Sequence, residues 1–586
     1  MTSIRSRSEE WLDQLRLRLA RPDALLPLAG LGLLTGLLAG AVIVVFRLFV
    51  EGFQEALLPG EGPENYEALA APMRILLPLV AAVLLAAMFH WFARGIHVLG
   101  VARVMERMAY HQGRCTPRAF LLQFFGAAIA IIGGHSVGRE GPHIFLGASS
   151  GSLLGQAFTL PHNVTRTLVG CGTAAGIAAS FNTPLAGVVF ALEVVMMEYT
   201  VASFIPVILA AVSATTLSNR VFGDYSAFSI PPLHSADLAE LGLVLLISVL
   251  AGAVSALFVQ SVQTVGQRAK QIGLHWRMLL AGLSVGVIAQ VLPQVMGIGY
   301  DTVGVALNGG LAVGLLLALL FGKLLATSLC IGLGVPGGLI GPVLFIGAML
   351  GAAVAGIAEL TSVELGDHPG LFVLVGMGAM MSASLQAPLA ALVAMLELTD
   401  QPEVIMPGML AVVVAGITAS EVFGKDSLFI TMLRANGLDY VAAPVHQALR
   451  RIGVASVMER RFARIERNPD LTRARKALAD NPLYLLIDTE QAQVVMPAAD
   501  LARHLAADDV RNDSDPDAET TIDLLSIPGE RLDAHNIEVQ ANLHEAWDMF
   551  EKTAAEALIV RRMTAPGIYR VYGIITPDRV EKSYLS

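Results

Sequence analysis

Apolar positions fall in long runs with almost no charge inside them: Leu25 to Val50, Arg74 to Phe92, Leu241 to Val259, Leu311 to Ile331 and Val404 to Ile417. A helix rises about 1.5 Å per residue, so each run is long enough, or nearly so, to cross a hydrocarbon core of about 30 Å. The pattern changes near residue 440. Upstream the runs are broken by Gly and Pro, and downstream charged helical and strand-like stretches have the character of a water-soluble domain. A membrane-embedded part is therefore expected over 23–440 and a polar tail over 441–586. The tail divides into 452–505 and 521–585 around Asp508 to Glu519, an acidic run whose like charges favour a solvated linker.

At the front of the chain, Trp11, Leu12, Leu15 and Leu19 recur at helical spacing among charges. Residues 1–22 thus read as a short amphipathic helix capped by Ser8, not as a cleaved signal peptide. Arg5, Arg7, Arg16, Arg18 and Arg21 precede the first span and place that end in the cytoplasm by the positive-inside tendency.

The membrane part repeats itself. Gly141-Pro-His-Ile-Phe-Leu-Gly-Ala148 matches Gly341-Pro-Val-Leu-Phe-Ile-Gly-Ala348, and Asn182 to Glu193 matches Gln386 to Glu397 at Pro, Leu, Ala, Val, Leu and Glu. Both matches lie near 200 residues apart, which divides the membrane part into repeats of about 23–225 and 236–437. Gly/Pro-interrupted apolar segments at matching places in two halves point to broken helices that meet near the bilayer midplane around a polar site.

Composition agrees. Of 586 residues, 54% are hydrophobic and 15% charged, with a mean hydropathy of +0.62, so lipid must cover part of the surface and a wholly soluble protein is excluded. Much of the net charge of −10 comes from the tail, and no nucleic-acid partner is expected. The 56 glycines concentrate in apolar segments, where they let helices approach closely. Cys115, Cys171 and Cys330 have neither redox nor metal-ligand spacing, so they read as inert and no metal site is expected.

Chemistry concentrates at Gly133 to Pro142, which reads Gly-Gly-His-Ser-Val-Gly-Arg-Glu-Gly-Pro, and at its counterpart Val335 to Pro342. A Gly-rich turn that feeds a helix leaves backbone N–H groups without intrahelical partners, and the helix dipole adds roughly half a positive charge there. Such an end attracts anions, and partial charges release them more readily than a full cation would. Glu140 lies where the anion is expected. A carboxylate deep in a membrane costs about 2.5–3.5 kcal/mol even on lenient scales, so it reads as a gate that occupies the anion's place when ionised and leaves when protonated. Glu193 and Glu397 each end an apolar run at matching positions and are expected to mark where helices emerge.

These residues resemble the CLC family of chloride channels and proton-coupled anion exchangers over nearly the whole chain. Gly138 to Pro142 matches the family's Gly-Lys/Arg-Glu-Gly-Pro motif with Glu140 at the gating glutamate, and Gly338 to Pro342 matches its Gly-x-Phe-x-Pro motif with Ile340 in place of Phe. The resemblance implies an all-α polytopic membrane protein: an inverted repeat of tilted and re-entrant helices, assembled as a homodimer in the cell membrane with both termini cytoplasmic. It implies anion contacts from Gly138, Arg139, Gly141, Gly338, Leu339, Ile340 and Gly341. The tail resembles a pair of α/β CBS domains, with Ala455-Ser-Val-Met-Glu459 and Val495 to Asp500 in the first copy and Gly573 to Asp578 in the second.

Three departures shape the expected activity. The family's anion-coordinating serine aligns with Leu99 and its coordinating tyrosine with Phe429, so both side-chain hydroxyls are missing. Recognition then falls to backbone N–H groups at Leu339, Ile340 and Gly141, and chloride, another halide, nitrate or bicarbonate all stay open. The internal proton glutamate that proton-coupled relatives carry after the position of Glu193 is here Val194. Glutamate-gated passage of a small anion, channel-like or weakly coupled to protons, is the expected function, and a tightly coupled anion/proton antiporter is the alternative. In the tail, Pro497 precedes Asp500 and Thr576 precedes Arg579, so each copy keeps one half of a nucleotide-binding pair. A structural or dimerising role is favoured over adenine-nucleotide binding. Ser136 and His135 beside Glu140 lack the further elements a catalytic site needs, so no enzyme is expected. A receptor that senses through the tail without transporting is a further class.

Overall fold

The structure is a computed structural model that describes residues 13–21, 24–60, 64–93, 95, 99–223, 238–360, 370–438, 444–488, 493–509 and 521–585. Arg5, Arg7, Ser8, Trp11, Leu12, Val98 and the 510–519 part of the linker lie outside the described residues. The chain forms two compact units: 25–157 with 165–441, and 1–24 with 158–164 and 442–586.

The larger unit is helical. Its first half runs α1 (Leu25–Leu57), α2 (Ala71–Phe92), α3 (Val101–Tyr110), α4 (Pro117–Ile132), α5 (Glu140–Ala157), α6 (His162–Phe181), α7 (Pro184–Phe190, continued by a π-helical turn over Ala191–Met196) and α8 (Val201–Phe222). The second half repeats the series as α9 (Leu238–Ala269), α10 (Leu274–Val291), α11 (Tyr300–Leu307), α12 (Val313–Leu333), α13 (Ile340–Leu360), α14 (Gly370–Leu385), α15 (Pro388–Thr399) and α16 (Ile405–Ile417, continued by a π-helical turn over Thr418–Val422). A final helix, α17 (Leu428–Ala435), has no counterpart among the described residues of the first half. Among the described residues, eight helices are long and apolar enough to cross a membrane. Others, such as α4 and α14 with 16 residues each, are too short to span about 30 Å upright and are the interrupted elements that the Gly/Pro pattern foretells.

Three sets of contacts occur twice with the halves exchanged, as a two-fold axis produces. Gly138 and Gly338 form an antiparallel bridge and exchange N–H···O bonds of 2.8 and 2.6 Å. Glu193 accepts from the N–H groups of Leu389 (3.2 Å) and Ala390 (2.7 Å), while Glu397 accepts from Leu185 (2.9 Å) and Ala186 (2.7 Å). Helix α5 crosses α6 so closely that a Cβ on Gly147 or Gly151 would run into the backbone of Gly172 and Leu168; Gly347 and Gly351 of α13 meet Gly376 and Phe372 of α14 in the same way. The glycines are thus packing residues, and the repeat is inverted.

The smaller unit carries a six-stranded sheet in sequence order: β1 (Phe462–Glu466), β2 (Tyr484–Asp488), β3 (Gln493–Pro497), β4 (Leu532–Glu538), β5 (Ala557–Ala565) and β6 (Ile568–Ile575). β1 and β2 are parallel across helix Leu471–Leu478, and β4 and β5 are parallel across helix Leu543–Thr553. β2–β3, β3–β4 and β5–β6 are antiparallel. Two β-α-β-β-α copies therefore share one sheet. Each copy buries its own apolar cluster, and Leu486, Val495, Ala557, Ile559 and Ile574 form a third between them. Residues 13–19 are helical and join this unit: the Ala20 carbonyl accepts from Gly453 N–H at 3.1 Å, and the Asp13 carboxylate accepts from Arg16, Arg562 and Tyr572.

Candidate functional site

The centre of the larger unit is the Gly138–Gly338 bridge, where α5 and α13 start. Glu140 opens α5 and is fully buried. Its Oε1 accepts from the Tyr300 hydroxyl at 2.6 Å and its Oε2 from the Gly341 N–H, in the first turn of α13, at 3.1 Å. The carboxylate folds back over Gly138, where a Cβ would collide with Oε2. It therefore sits where the positive ends of two helices converge, the place an anion would take.

Tyr300 owes its position to the turn before α11. Gly299 caps that helix at φ +86°, a left-handed conformation that L side chains rarely adopt, and it packs against Phe345. The fully buried Lys323 on α12 donates to the carbonyls of Val295 (3.1 Å) and Gly297 (2.8 Å), and the Phe345 ring lies 4.9 Å from its nitrogen. The Lys323 head group thus helps to fix the turn that presents Tyr300.

The anion-contact residues inferred from the motifs divide into groups. Gly138 and Gly338 spend their N–H groups on each other, and Gly341 donates to Glu140. Arg139 reaches Glu51 at 3.5 Å and lies 5.9 Å from the Tyr300 ring. Ile340 opens α13 as Glu140 opens α5, and both are buried. Leu339 and Gly141 face a cavity of about 170 Å³ on the other side of the bridge, which Leu99 and Phe429 also line. The two aligned departures, 330 positions apart in sequence (429 − 99), thus meet at one cavity. The Gly100 N–H, at the start of α3, is held by the side-chain oxygen of Gln123 at 2.7 Å.

Glu193 and Glu397 receive the first-turn N–H groups of α15 and α7, so each caps a helix of the opposite repeat. Val194 is buried beside Glu193. The Ser136 hydroxyl pairs with Thr327 at 2.9 Å and His135 with the Ala130 carbonyl at 3.3 Å. Tyr300 and Lys323 are the site residues that the motifs missed. Lys323 carried a signal, a lone charge inside an apolar run, whereas Tyr300 lies 160 residues from Glu140 and carried none.

In the tail, Asp500 is buried and accepts from the Glu530 N–H at 3.0 Å and from Arg503. Arg579, at the matching place in the second copy, donates to the Val457 carbonyl (2.8 Å) and to Glu459 (2.5 Å). Partial burial works against ionisation of Glu459, but the Arg461 amide and the Arg579 charge outweigh it and hold the carboxyl below its ordinary value.

Comparisons with known proteins fit this geometry. The family model described as "Voltage gated chloride channel" matches residues 79–420. The H(+)/Cl(-) exchange transporter ClcA of Vibrio cholerae is 30% identical over 423 residues, which cover 69% of this chain and 88% of that protein. The protein of the same name from Vibrio vulnificus is 31% identical over 415 residues, covering 67% and 87%. Among solved structures, a slow cyanobacterial Cl-/H+ antiporter superposes with a TM-score of 0.62 at 23% identity over 70% of this chain and 97% of its own. A CLC-type fluoride/proton antiporter gives 0.57 at 23% identity over 70% and 98%. A eukaryotic CLC transporter gives 0.60 at 18% identity over 95% and 98%, so that likeness of fold extends through the tail.

Proposed function

Because the chain belongs to the CLC family of voltage gated chloride channels, we propose that this anion transport protein exchanges a small anion for protons across the cell membrane, with Glu140 as its gate. The channel-like or weakly coupled passage expected from Val194, Leu99 and Phe429 gives way to exchange, since the relatives that match over the transport domain are named H(+)/Cl(-) exchange transporters.

The observation that carries the reading is the seat of the Glu140 carboxylate between the Tyr300 hydroxyl and the Gly341 amide. An ionised carboxylate and a free anion compete for the same helix ends. Protonation removes the charge that those donors hold, so the side chain leaves and an anion enters, with Leu339, Ile340 and Gly141 amides as its contacts. Each anion passage then requires a proton to arrive at or leave Glu140. Glu193 or water supplies the rest of the proton route in place of the residue at Val194.

The remaining readings follow the family. The protein is a homodimer in the lipid bilayer with both termini cytoplasmic, and its anions include chloride or another halide, nitrate and bicarbonate. The tail is a CBS pair with a structural or dimerising role, since internal ion pairs engage both Asp500 and Arg579. It carries no enzymatic activity.

The test is flux from purified protein in liposomes under an anion gradient and an opposed pH gradient. A reversal potential set by both gradients, and pH-insensitive flux after Glu140→Gln, are the expected results. A potential that ignores pH would exclude tight coupling, and unchanged pH response in the variant would remove Glu140 from the gate.

A further inference from the structure

We propose that the cavity behind the Gly138–Gly338 bridge selects weakly hydrated anions, such as thiocyanate and nitrate, over chloride and fluoride. The inference rests on the transport reading and names the substrate class of the same pathway.

The cavity has two ends of different chemistry. At its rim stand the exposed Lys270 and the half-buried Arg277, whose charges gather anions of any kind. A volume of about 170 Å³ has room for on the order of ten waters, so an anion enters with its hydration largely in place. The end next to the bridge is different. There Leu99, Val101, Leu339 and Phe429 present hydrocarbon, and the last three are almost wholly buried.

An anion that moves from the rim to Gly141 must shed water against those side chains, with backbone N–H groups at the helix starts as replacements. A few fixed amides replace a small part of a tightly held hydration shell and a larger fraction of a loose one. Fluoride and then chloride therefore lose most in the transfer, while thiocyanate and nitrate lose least and gain dispersion contact with the apolar wall. The bridge amplifies this, because Gly138 and Gly338 N–H groups are already engaged with each other.

The experiment compares efflux of fluoride, chloride, nitrate and thiocyanate at equal concentration from liposomes holding wild-type protein or Glu140→Gln, with leak through protein-free vesicles subtracted. Wild type should move nitrate and thiocyanate at least about fivefold faster than chloride, with fluoride slowest, a difference that a modest change in dehydration suffices to produce. Leu99→Ser combined with Phe429→Tyr should raise chloride relative to thiocyanate by about tenfold or more, the worth of a hydrogen bond to a charged group. Wild-type protein that moves chloride or fluoride fastest, with flux that still responds to Glu140→Gln, overturns the selectivity and leaves the transport reading standing. No flux of any anion above the protein-free leak overturns both. The wild-type ranking decides the matter even if the double variant does not fold.

Discussion

The two repeats of the membrane unit share a scaffold and differ in a few buried side chains. At an offset of 200 (338 − 138), Glu140 faces Ile340 across the pseudo-symmetry, His143 faces Val343, and Gln123 faces Lys323. Gln123 and Lys323 do the same structural job, each holding the turn that precedes a short helix. The first does so with a neutral amide on Gly100, the second with a buried ammonium on Val295 and Gly297. The turns end differently too: Val101 follows Gly100 and lines the apolar cavity, whereas Tyr300 follows Gly299 and donates to Glu140. Duplicated helix starts supply two equivalent positive ends, and in the proposed mechanism unequal side chains make one a gate and the other an apolar passage. Function resides in the departures from symmetry, and the fold alone does not specify it.

Tyr300→Phe is the most direct way to break that difference, because it returns the second turn to the apolar character of the first. A charge-assisted hydrogen bond is worth about 1.5–3 kcal/mol, so its loss should shift the balance from seated to displaced carboxylate by at least about tenfold. Flux at neutral and at alkaline pH should rise relative to flux in acid, since the seat no longer holds the carboxylate as firmly. Flux measured as a function of pH in the variant checks this. An unchanged profile would mean that the 2.6 Å contact restrains nothing.

Glu193 and Glu397 sharpen the comparison from the opposite side, since each caps a helix of the other repeat with almost the same bond lengths. A lost cap costs about 0.5–2 kcal/mol, so Glu193→Gln and Glu397→Gln should lower thermal stability by similar amounts. A proton role confined to Glu193 would separate them: Glu193→Gln would also lower the proton-to-anion ratio, while Glu397→Gln would leave it alone. Equal effects on stability with no difference in coupling would make both residues caps and nothing more.

How much of this was legible in the sequence depends on how local each signal is. The repeat was legible because Gly141 to Ala148 and Gly341 to Ala348 carry close helix packing at Gly147 and Gly347, which tolerates little change in side-chain volume. Glu140 stood out because a carboxylate in an apolar, Gly-rich setting has few structural explanations. The tail's two copies were legible from charge pattern and the acidic run between them. Glu193 and Glu397 were readable as helix ends, but their true partners are N–H groups about 200 residues away, and no spacing rule reaches that far. Tyr300 was invisible for the same reason. Lys323 announced itself as a lone charge, yet its task depends on two carbonyls that converge only when the Val295–Gly297 turn forms.

The tail offers the mildest test of whether duplicated scaffolds take their roles from unmatched residues. Its matching positions carry opposite charges: Asp500 closes on the Glu530 amide and Arg503, and Arg579 closes on Glu459 and the Val457 carbonyl. Because the Glu459 carboxyl is held below its ordinary value in the folded chain, its ionisation stabilises the fold above the unfolded-state value of about 4.3. That contribution fades as pH falls through the folded-state value. Arg579→Gln removes one of the groups that hold it low, so the second copy should lose less than about 1 kcal/mol at neutral pH. The loss should shrink towards zero in acid, where the carboxyl is protonated with or without its partner. Hydrogen exchange along β5 and β6 of the full chain, compared between neutral and acidic pH, reads that difference locally. A loss of protection that persists unchanged in acid would assign the role of Arg579 to its bond with the Val457 carbonyl, and not to its charge.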